Sequence, residues 1–347
     1  MTISETQSQT QNPLWKSTMK VVSVKNKDSF VDLELPTPEP TGQDVLIAVK
    51  AVSVNPVDFK VHSRTPGELS EPKILGWDGA GVVVKVGPDV TLFKEGDEVY
   101  WAGSIIRPGS NAEFQLVDQR IVALKPRSLN FAEAAALPLT AITAWEGIHD
   151  RLRIGEKEKG KTLLVIGGAG GVGSILIQIA KLAGLKVIAT ASRPETLAWV
   201  KEMGADVVID HSKPLHEELA AIGIPEVDFI YNTVDTVRYW DTTVRVIKAQ
   251  GSIVSINGTA ERLPLGELMG KSVSFHWEMM FTRSSYQTQD ILEQHHLLTR
   301  VAELIDTGVF KNTFTADLGP INAGNLKKAH TQLQSGRTIG KVVLSGW

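Results

Sequence analysis

Three glycines at fixed spacing are the strongest chemical signal in this sequence of 347 residues. Gly168, Gly170 and Gly173 form a G-x-G-x-x-G pattern between the apolar run Thr162–Ile166 and an amphipathic helical pattern. Between a strand and a helix, these glycines allow a tight turn, a close approach to a pyrophosphate and close helix–strand packing. The free N–H groups at the helix start would bind the pyrophosphate, whereas the alternative is a glycine loop without a ligand. The predicted loop contacts are Gly168, Ala169, Gly170, Gly171, Val172 and Gly173.

The residue that selects between NAD and NADP is expected about 20 residues after the glycine loop. An NAD site places a carboxylate there, but this sequence has Ser192 and Arg193, with no carboxylate before Glu195. A hydroxyl and a guanidinium suit a 2′-phosphate, which a carboxylate would repel. We therefore predict NADPH as the cofactor; the alternative for Arg193 is a solvated loop position.

The composition excludes several classes of chemistry. The chain has no cysteine, which rules out disulfides, cysteine nucleophiles, cysteine-ligated iron–sulfur clusters and thiolate zinc sites. The 36 Lys and Arg against 39 Asp and Glu leave a net charge of −3, so neither nucleic acid nor a membrane surface is expected as a partner. No apolar run reaches the roughly 18 residues of a spanning helix. Residues 1–18 are polar and predicted to be disordered, and we expect a cytoplasmic protein.

The first third of the chain predicts a β-rich unit. Short apolar runs alternate with turn signals containing Gly and Pro, which is typical of a small barrel or sandwich. The predicted strands are Met19–Val24, Phe30–Leu35, Val45–Val54, Ala80–Val86, Glu98–Trp101 and Glu113–Val117.

Strands and helices alternate from residue 162 onwards, which predicts a doubly wound parallel sheet. Two helices precede this region, Phe131–Leu137 and Leu139–His149, with Pro138 breaking them apart. The predicted strands of the sheet are Thr162–Ile166, Lys186–Thr190, Val207–Ile209, Val227–Tyr231 and Ser252–Ile256, and its helices are Val172–Ala183, Glu195–Met203, Leu215–Ile222 and Thr236–Ala249. The chain then predicts Val273–His276 and Lys341–Leu344 as strands, and Asp290–Asp306 and Ala323–Leu333 as helices.

An ordered set of motifs carries a resemblance to a known family. The motifs, in addition to the glycine loop, are Val54–Asp58, Gly76–Gly81, Gly96–Val99, Leu137–Thr140 followed by Thr143–Trp145, and Gly340–Leu344. In this order they resemble the medium-chain dehydrogenase/reductase superfamily, and within it the zinc-independent quinone and enoyl reductase branch. The stretch His276–Ser285 looks like a subgroup usually labelled zinc-type alcohol dehydrogenase-like.

The resemblance implies an α/β Rossmann domain with a doubly wound parallel sheet, joined to a β-rich, GroES-like barrel domain. We place the GroES-like catalytic domain in residues 1–140 and 305–347, and the Rossmann domain in residues 141–304. Relatives of this kind commonly form homodimers, so a homodimer is expected here.

The resemblance also implies that zinc is absent. In zinc-dependent relatives the catalytic metal is bound by Cys, His and Cys, and the matching positions here are Asn55, Trp77 and Leu139. None of these is a good zinc ligand, so we predict no metal.

Without a metal, hydrogen-bond donors must stabilise the negative charge that develops on the substrate. The resemblance points to Lys60, at a position where polyketide trans-acting enoyl reductases also carry Lys, and to the Thr140 hydroxyl and Asn55 near the nicotinamide. A surface lysine and a Thr that bonds the helix backbone are the respective alternatives. The other predicted cofactor contacts are Thr143, Ile256, Asn257, His211 and Arg337.

These observations predict an NADPH-dependent, zinc-free enzyme that reduces the activated C=C bond of α,β-unsaturated carbonyl compounds. An NADPH quinone reductase is the alternative enzyme, because it would use the same pocket without a need for Lys60. A non-catalytic NADPH-binding protein is the alternative from another class. The expected substrate is a small hydrophobic enone or quinone.

Overall fold

Three β-sheets organise the part of the chain that the computed structural model describes, residues 14–65 and 67–347. The strands in chain order are β1 (Thr18–Asn26), β2 (Ser29–Pro36), β3 (Asp44–Ser53), β4 (Lys73–Ile74), β5 (Gly79–Val86), β6 (Glu98–Trp101), β7 (Phe114–Asp118), β8 (Val122–Leu124), β9 (Thr162–Ile166), β10 (Lys186–Thr190), β11 (Val207–Ile209), β12 (Val227–Asn232), β13 (Ile247–Ser255), β14 (Ser274–Trp277), β15 (Phe314–Asp317) and β16 (Lys341–Ser345). The helices are α1 (Pro56–Ser63), α2 (Phe131–Ala135), α3 (Pro138–Glu146), α4 (Gly171–Leu182), α5 (Pro194–Glu202), α6 (Leu215–Ala221), α7 (Trp240–Val246), α8 (Thr282–Tyr286), α9 (Glu293–Asp306) and α10 (Ala323–Gln334).

The six-stranded sheet is entirely parallel and has the order β11-β10-β9-β12-β13-β14. Relative to the chain this is the 3-2-1-4-5-6 order of dinucleotide-binding folds, so the predicted Rossmann sheet is confirmed. Its first strand, β9, is buried along its whole length, as expected for a parallel strand covered on both faces. The crevice of such a sheet opens at the carboxyl ends of β9 and β12, where the strand order reverses.

The seven-stranded sheet combines strands from the first third of the chain with the last two strands, β15 and β16. Its order is β15-β16-β3-β5-β6-β8, with β7 paired to β3, and the C-terminal β16 lies antiparallel beside β3. The inward faces of these strands carry mostly Val, Ile and Leu, which form a buried cluster. The small third sheet, β2-β1-β4, packs Met19 and Val21 against the same sheet.

The largest apolar cluster spans both large sheets. Two buried tyrosines bond across it: Tyr100 donates from β6 to the carbonyl of Leu298 at 2.6 Å, and Tyr231 donates from β12 to the carbonyl of Thr143 at 2.7 Å. The predicted domain boundaries, 140/141 and 304/305, fall inside α3 and α9, the helices that receive these two bonds. The division into domains therefore stays a prediction.

Most predicted elements of the Rossmann region match to within one or two residues, but one predicted helix is too long and the strand predicted after it, Ser252–Ile256, begins too late. The pattern predicted a helix over Thr236–Ala249, whereas α7 ends at Val246 and the chain is already extended at Ile247, where β13 begins. Pro138 separates α3 from α2, as predicted, and it is itself the first residue of α3. Its missing N–H has no effect there, because the first N–H groups of a helix have no partner within the helix.

Five elements were not predicted: α1, β4, β8, α8 and β15. Of the predicted disordered segment 1–18, residues 1–13 lie outside the described residues. Trp15 packs against the small sheet, and Thr18 begins β1. Within the described part of the chain, no helix has the length and apolar character needed to cross a bilayer.

Candidate cofactor and substrate site

An open cleft with a volume of about 1360 Å³ lies between the two large sheets. Its walls come from α1, the start of α3, the glycine loop, the ends of β10 and β13, and the segment that leads into β16. The predicted site residues that line it are Asn55, Lys60, Thr140, Thr143, Ala169, Gly170, Gly171, Val172, Ser192, Arg193, His211, Ile256 and Asn257. Gly168, Gly173 and Arg337 are not among the lining residues.

The glycine loop has the geometry that a pyrophosphate requires. Gly170 caps α4 in an extended conformation, and a Cβ added there would meet nothing closer than 3.7 Å, so the loop leaves open space above the helix start. Gly173 is needed for packing instead, since a Cβ there would lie 2.2 Å from the carbonyl oxygen of Gly167. The positive end of α4 therefore faces the cleft and can bind an anion.

A cationic pocket lies at the ends of β10 and β11. Ser192 Oγ is 3.1 Å from His211 Nε2, and His211 Nδ1 is buried with no partner among the described residues. Burial lowers the pKa of His211, and the charges of Arg238 and Arg193 lower it further. The backbone carbonyl of Arg337 accepts a 2.8 Å bond from Arg193, so Arg337 holds Arg193 through its backbone. An anion such as a 2′-phosphate would find several donors here.

Arg238 is a member of this pocket that the sequence did not reveal. It lines the cleft in the segment between β12 and α7, and its guanidinium lies 5.4 Å from the ring centre of Tyr239. No motif marks it, because its neighbours Arg193 and His211 are distant in the sequence.

Lys60 connects α1 to the segment after β13, and both line the cleft. It lies on α1, and its ammonium donates a 2.5 Å hydrogen bond to Asn257 Oδ1 just after β13. The Asn257 amide is itself oriented, because its Nδ2 donates to the carbonyls of Thr233 and Val234. Partial burial and the charge of Arg64 lower the pKa of Lys60. The Lys60 side chain is exposed, as the surface-lysine alternative required, and this bond holds its ammonium at the wall of the cleft.

The start of helix α1 carries residues that are typical of a helix N-terminus, although this helix was not predicted. Asn55 precedes it, Pro56 is its first residue, and Asp58 completes a capping box by accepting a 2.7 Å bond from the Asn55 N–H. The helix has only eight residues, which gives no clear apolar periodicity.

Thr140 and Thr143 line the cleft but bond to their own helix. The Thr140 hydroxyl donates to the carbonyl of Leu137 at 3.1 Å, and the Thr143 hydroxyl to that of Leu139 at 2.7 Å. This is the backbone-bonding alternative considered for Thr140. Each hydroxyl oxygen keeps its capacity to accept a bond from a ligand.

A buried ion pair lies beneath the cleft. Lys341 Nζ is 3.0 Å from Asp78 Oδ2, and it also donates to Asn55 Oδ1 and to the carbonyl of Val54. Asp78 accepts two further bonds, from Asn55 Nδ2 at 2.7 Å and from the N–H of Leu139 at 2.8 Å. Burial raises the pKa of Asp78, and the charge of Lys341 partly offsets this. Lys341 was not singled out from the sequence, although it lies in the Gly340–Leu344 motif.

Comparison with known proteins agrees with this geometry. The family model described as an alcohol dehydrogenase GroES-like domain matches residues 41–127, and the one described as a zinc-binding dehydrogenase matches residues 171–294. A Staphylococcus epidermidis protein named zinc-type alcohol dehydrogenase-like protein is 40% identical over 336 residues, which cover 94% of this chain and 99% of the relative. The chain belongs to the medium-chain dehydrogenase/reductase superfamily. It is an oxidoreductase of this type, with a GroES-like domain and a Rossmann sheet.

Two further matches have a description or a name that states an activity. A solved Rhizobium etli CFN 42 structure, described as a zinc-dependent alcohol dehydrogenase protein, is 49% identical and has a TM-score of 0.91, with 96% of this chain and 99% of the other covered. An Arabidopsis thaliana chloroplastic protein named NADPH-dependent alkenal/one oxidoreductase is 42% identical over 234 residues, 64% of this chain and 57% of the relative.

The zinc in these family names does not fit the residues of this chain. Of the three positions that match the catalytic ligands, Leu139 has no donor atom, and the Trp77 indole N–H donates to the carbonyl of Ser104 at 3.1 Å. The Asn55 amide is fully occupied by Lys341 and Asp78. No group of three or more His, Cys, Asp or Glu that could bind a metal exists among the described residues. The ion pair lies where this superfamily's zinc ligands would be.

We expect Lys341→Met to destabilise the protein by about 3–5 kcal/mol, because it leaves the buried Asp78 carboxylate without its ion-pair partner. The free energy of unfolding in urea measures this loss. Adding Asp78→Asn should recover part of it, since no buried charge then remains. Lys85→Met is the control: Lys85 and its partner Glu39 are exposed, so the loss should stay below about 1 kcal/mol. Equal losses in the two Lys variants would contradict the role of the ion pair.

Proposed function

We propose that the chain is an NADPH-dependent, zinc-free reductase of the activated C=C bond in α,β-unsaturated carbonyl compounds. The observation that carries the proposal is the Lys60 ammonium, held in the cleft by Asn257, in a site whose residues do not fit a metal. The name of the Arabidopsis thaliana relative supports both the cofactor and the class of substrate. We propose a small hydrophobic enone as the substrate and a homodimer as the assembly.

NADPH fits the polar groups along one wall of the cleft. The start of α4 at Gly170 and Gly171 would hold the pyrophosphate, and Ser192, Arg193 and His211 would hold the 2′-phosphate. Arg238 adds a second guanidinium to the phosphate pocket. When bound, NADPH supplies the hydride.

Lys60 would stabilise the charge that forms on the substrate. A hydride added to the β-carbon of an enone leaves negative charge on the carbonyl oxygen and the α-carbon. The Lys60 ammonium can donate a hydrogen bond to that oxygen and then supply the proton that completes the saturated product. Burial already favours loss of this proton, since it lowers the pKa of Lys60. The hydride and the proton together account for the two-electron reduction.

The rest of the substrate end of the cleft is largely apolar. Its lining includes Val57, Ile105, Leu139, Met280 and Phe281. Such a surface favours an uncharged hydrophobic substrate. Quinones share this property, so quinone reduction is the second candidate, and a protein that binds NADPH without turnover is the third.

The experiment that tests the proposal is NADPH oxidation with a panel of enones and quinones. Turnover of enones supports the proposal, and turnover of quinones alone favours the second candidate. NADPH binding without turnover of any member of the panel favours the third.

We expect Lys60→Met to lower kcat for enones by about 100-fold, because the donor to the developing charge is lost. The KM for NADPH should change much less than kcat, since Lys60 is not among the residues proposed to hold the pyrophosphate or the 2′-phosphate. Reduction of quinones, where it occurs, should be retained. Lys73→Met, at an exposed position on β4, is the control. Wild-type enone turnover by Lys60→Met would rule out this role.

We expect Arg193→Ala to raise the KM for NADPH by about 10- to 100-fold, because it removes a charge-assisted bond to the 2′-phosphate. The KM for NADH, which has no 2′-phosphate, should remain the same. Steady-state kinetics with both cofactors measure the ratio of the KM for NADPH to the KM for NADH. Arg245→Ala, at an exposed position on α7, should leave both values unchanged. A parallel rise for NADH would show that Arg193 does not recognise the 2′-phosphate.

A further inference from the structure

Two buried glutamates and two arginines form a cluster at the substrate end of the cleft, and Glu278 is one of the residues that line the cleft. Glu146 comes from α3 and Glu278 follows β14, and their side chains are 1% and 0% exposed. Arg283 Nη1 lies 2.7 Å from Glu146 Oε1, and Arg151 Nε lies 2.8 Å from Glu278 Oε2. Each carboxyl group therefore uses one oxygen in a short ion pair with a guanidinium. Arg151 also lies beside the second carboxyl group, with its Nη2 3.9 Å from Glu146 Oε2.

The other oxygen of each carboxyl group has no donor. Glu146 Oε2 and Glu278 Oε1 are buried and make no hydrogen bond to a donor among the described residues. The position of Arg151 beside both carboxyl groups brings the two groups close together. Two buried carboxylates this close repel each other, and one proton shared between them would relieve the repulsion and give both unpartnered oxygens a partner.

The charges around the pair do not remove the need for this proton. Besides Arg151 and Arg283, the groups that face the pair are the Tyr231 hydroxyl and the Gln294 amide. Arg283 is shared further with two carboxylates nearer the surface, Asp150 and Asp290. Burial raises the pKa of Glu278, and the adjacent Glu146 raises it further.

The chain and hydrogen bonds connect the glutamate pair to Met279–Phe281, the part of the cleft wall that the substrate would contact. Met279, Met280 and Phe281 line the cleft directly after Glu278, whose N–H donates to the carbonyl of Ser255 at 3.0 Å. On the other side of the pair, Gln294 Nε2 donates both to Glu146 Oε1, at 3.3 Å, and to the carbonyl of Met280, at 2.6 Å.

We propose that Glu278 and Glu146 share one proton and act as positioning residues that hold the Met279–Phe281 wall against the substrate. This inference rests on the proposed function for the identity of that substrate. It assigns a role to the His276–Ser285 stretch that the cofactor chemistry leaves unexplained. Loss of the proton puts two like charges in contact, and their repulsion displaces the wall.

The shared proton has a consequence for stability that needs no substrate. The folded chain keeps this proton at pH values where the unfolded chain has lost it, because the pKa of a free Glu is about 4.5. The unfolded state then binds fewer protons, so this pair makes the wild type less stable as the pH rises above that value. Glu278→Gln removes the titration while its amide can still donate to Glu146 and accept from Arg151.

The first test is the melting temperature of the wild type and Glu278→Gln between about pH 5 and pH 9. The difference in Tm should shift in favour of the variant by roughly 3–6 °C over this range. Glu303→Gln, at an exposed position on α9, should show a constant difference. A constant difference for Glu278→Gln would overturn the shared proton. If Glu278→Gln does not fold, Glu146→Gln is measured in the same way, with the same expectation.

The second test is the pH dependence of the KM for an enone. In the wild type this KM should rise at alkaline pH, by up to about tenfold per pH unit once the proton is lost, whereas in Glu278→Gln it should not. The KM for NADPH should be the same in both proteins at each pH. A parallel enone profile in the two proteins would overturn the positioning role. Absence of any enone turnover, together with the shifted Tm, would instead contradict the proposed function and leave the shared proton supported.

Discussion

The buried pair of Lys341 and Asp78 is the interaction on which the site depends. A charge taken out of water is tolerated only when it is paired and fully hydrogen-bonded, and both residues meet that condition. Lys341 comes from the last strand, Asp78 immediately precedes β5, and the pair's other partners are Asn55, which caps α1, and Leu139, at the start of α3. Four segments that line or support the cleft are therefore fixed relative to one another by one ion pair. The stem of Lys341 also packs at Gly171, where an added Cβ would lie 2.7 Å from Lys341 Cδ, which connects the pair to the start of α4.

The ionisable groups around the cleft differ in burial, and the proposed roles follow that difference. Lys341 and Asp78 are buried and their opposite charges are paired, so their role is to stabilise the fold around the cleft. Lys60 is only partly buried and bonds to a neutral amide, which leaves its proton available to a substrate. Glu146 and Glu278 are enclosed beside two guanidinium groups, one of which is shared with two further carboxylates, and in our proposal the pair keeps one proton. Arg193 lies at the open end of the cleft, where a phosphate can reach it.

The sequence predicted those parts of the molecule that depend on local pattern. The glycine loop is one, because its spacing is set by the turn from β9 to α4, and the parallel sheet is another, because strands and helices alternate along the chain. The parts that were missed depend on contacts between distant residues. Lys341 and Asp78 are 263 positions apart, and Glu146 on α3 and Glu278 after β14 also come from distant parts of the chain. Helix α1, which carries Lys60, is too short for periodicity to reveal. The predicted helix over Thr236–Ala249 was too long, since α7 spans only Trp240–Val246 and Ile247 already pairs with β12 in the parallel sheet.

The central claim is that hydride transfer in this chain is assisted by an ammonium and that no metal takes part. The most direct measurement is the zinc content of the purified protein together with its NADPH-dependent enone reduction before and after chelation. We predict much less than one zinc per chain, and a rate that neither falls on chelation nor rises when zinc is added back. One zinc per chain, with activity lost on chelation and restored by zinc, would contradict the account.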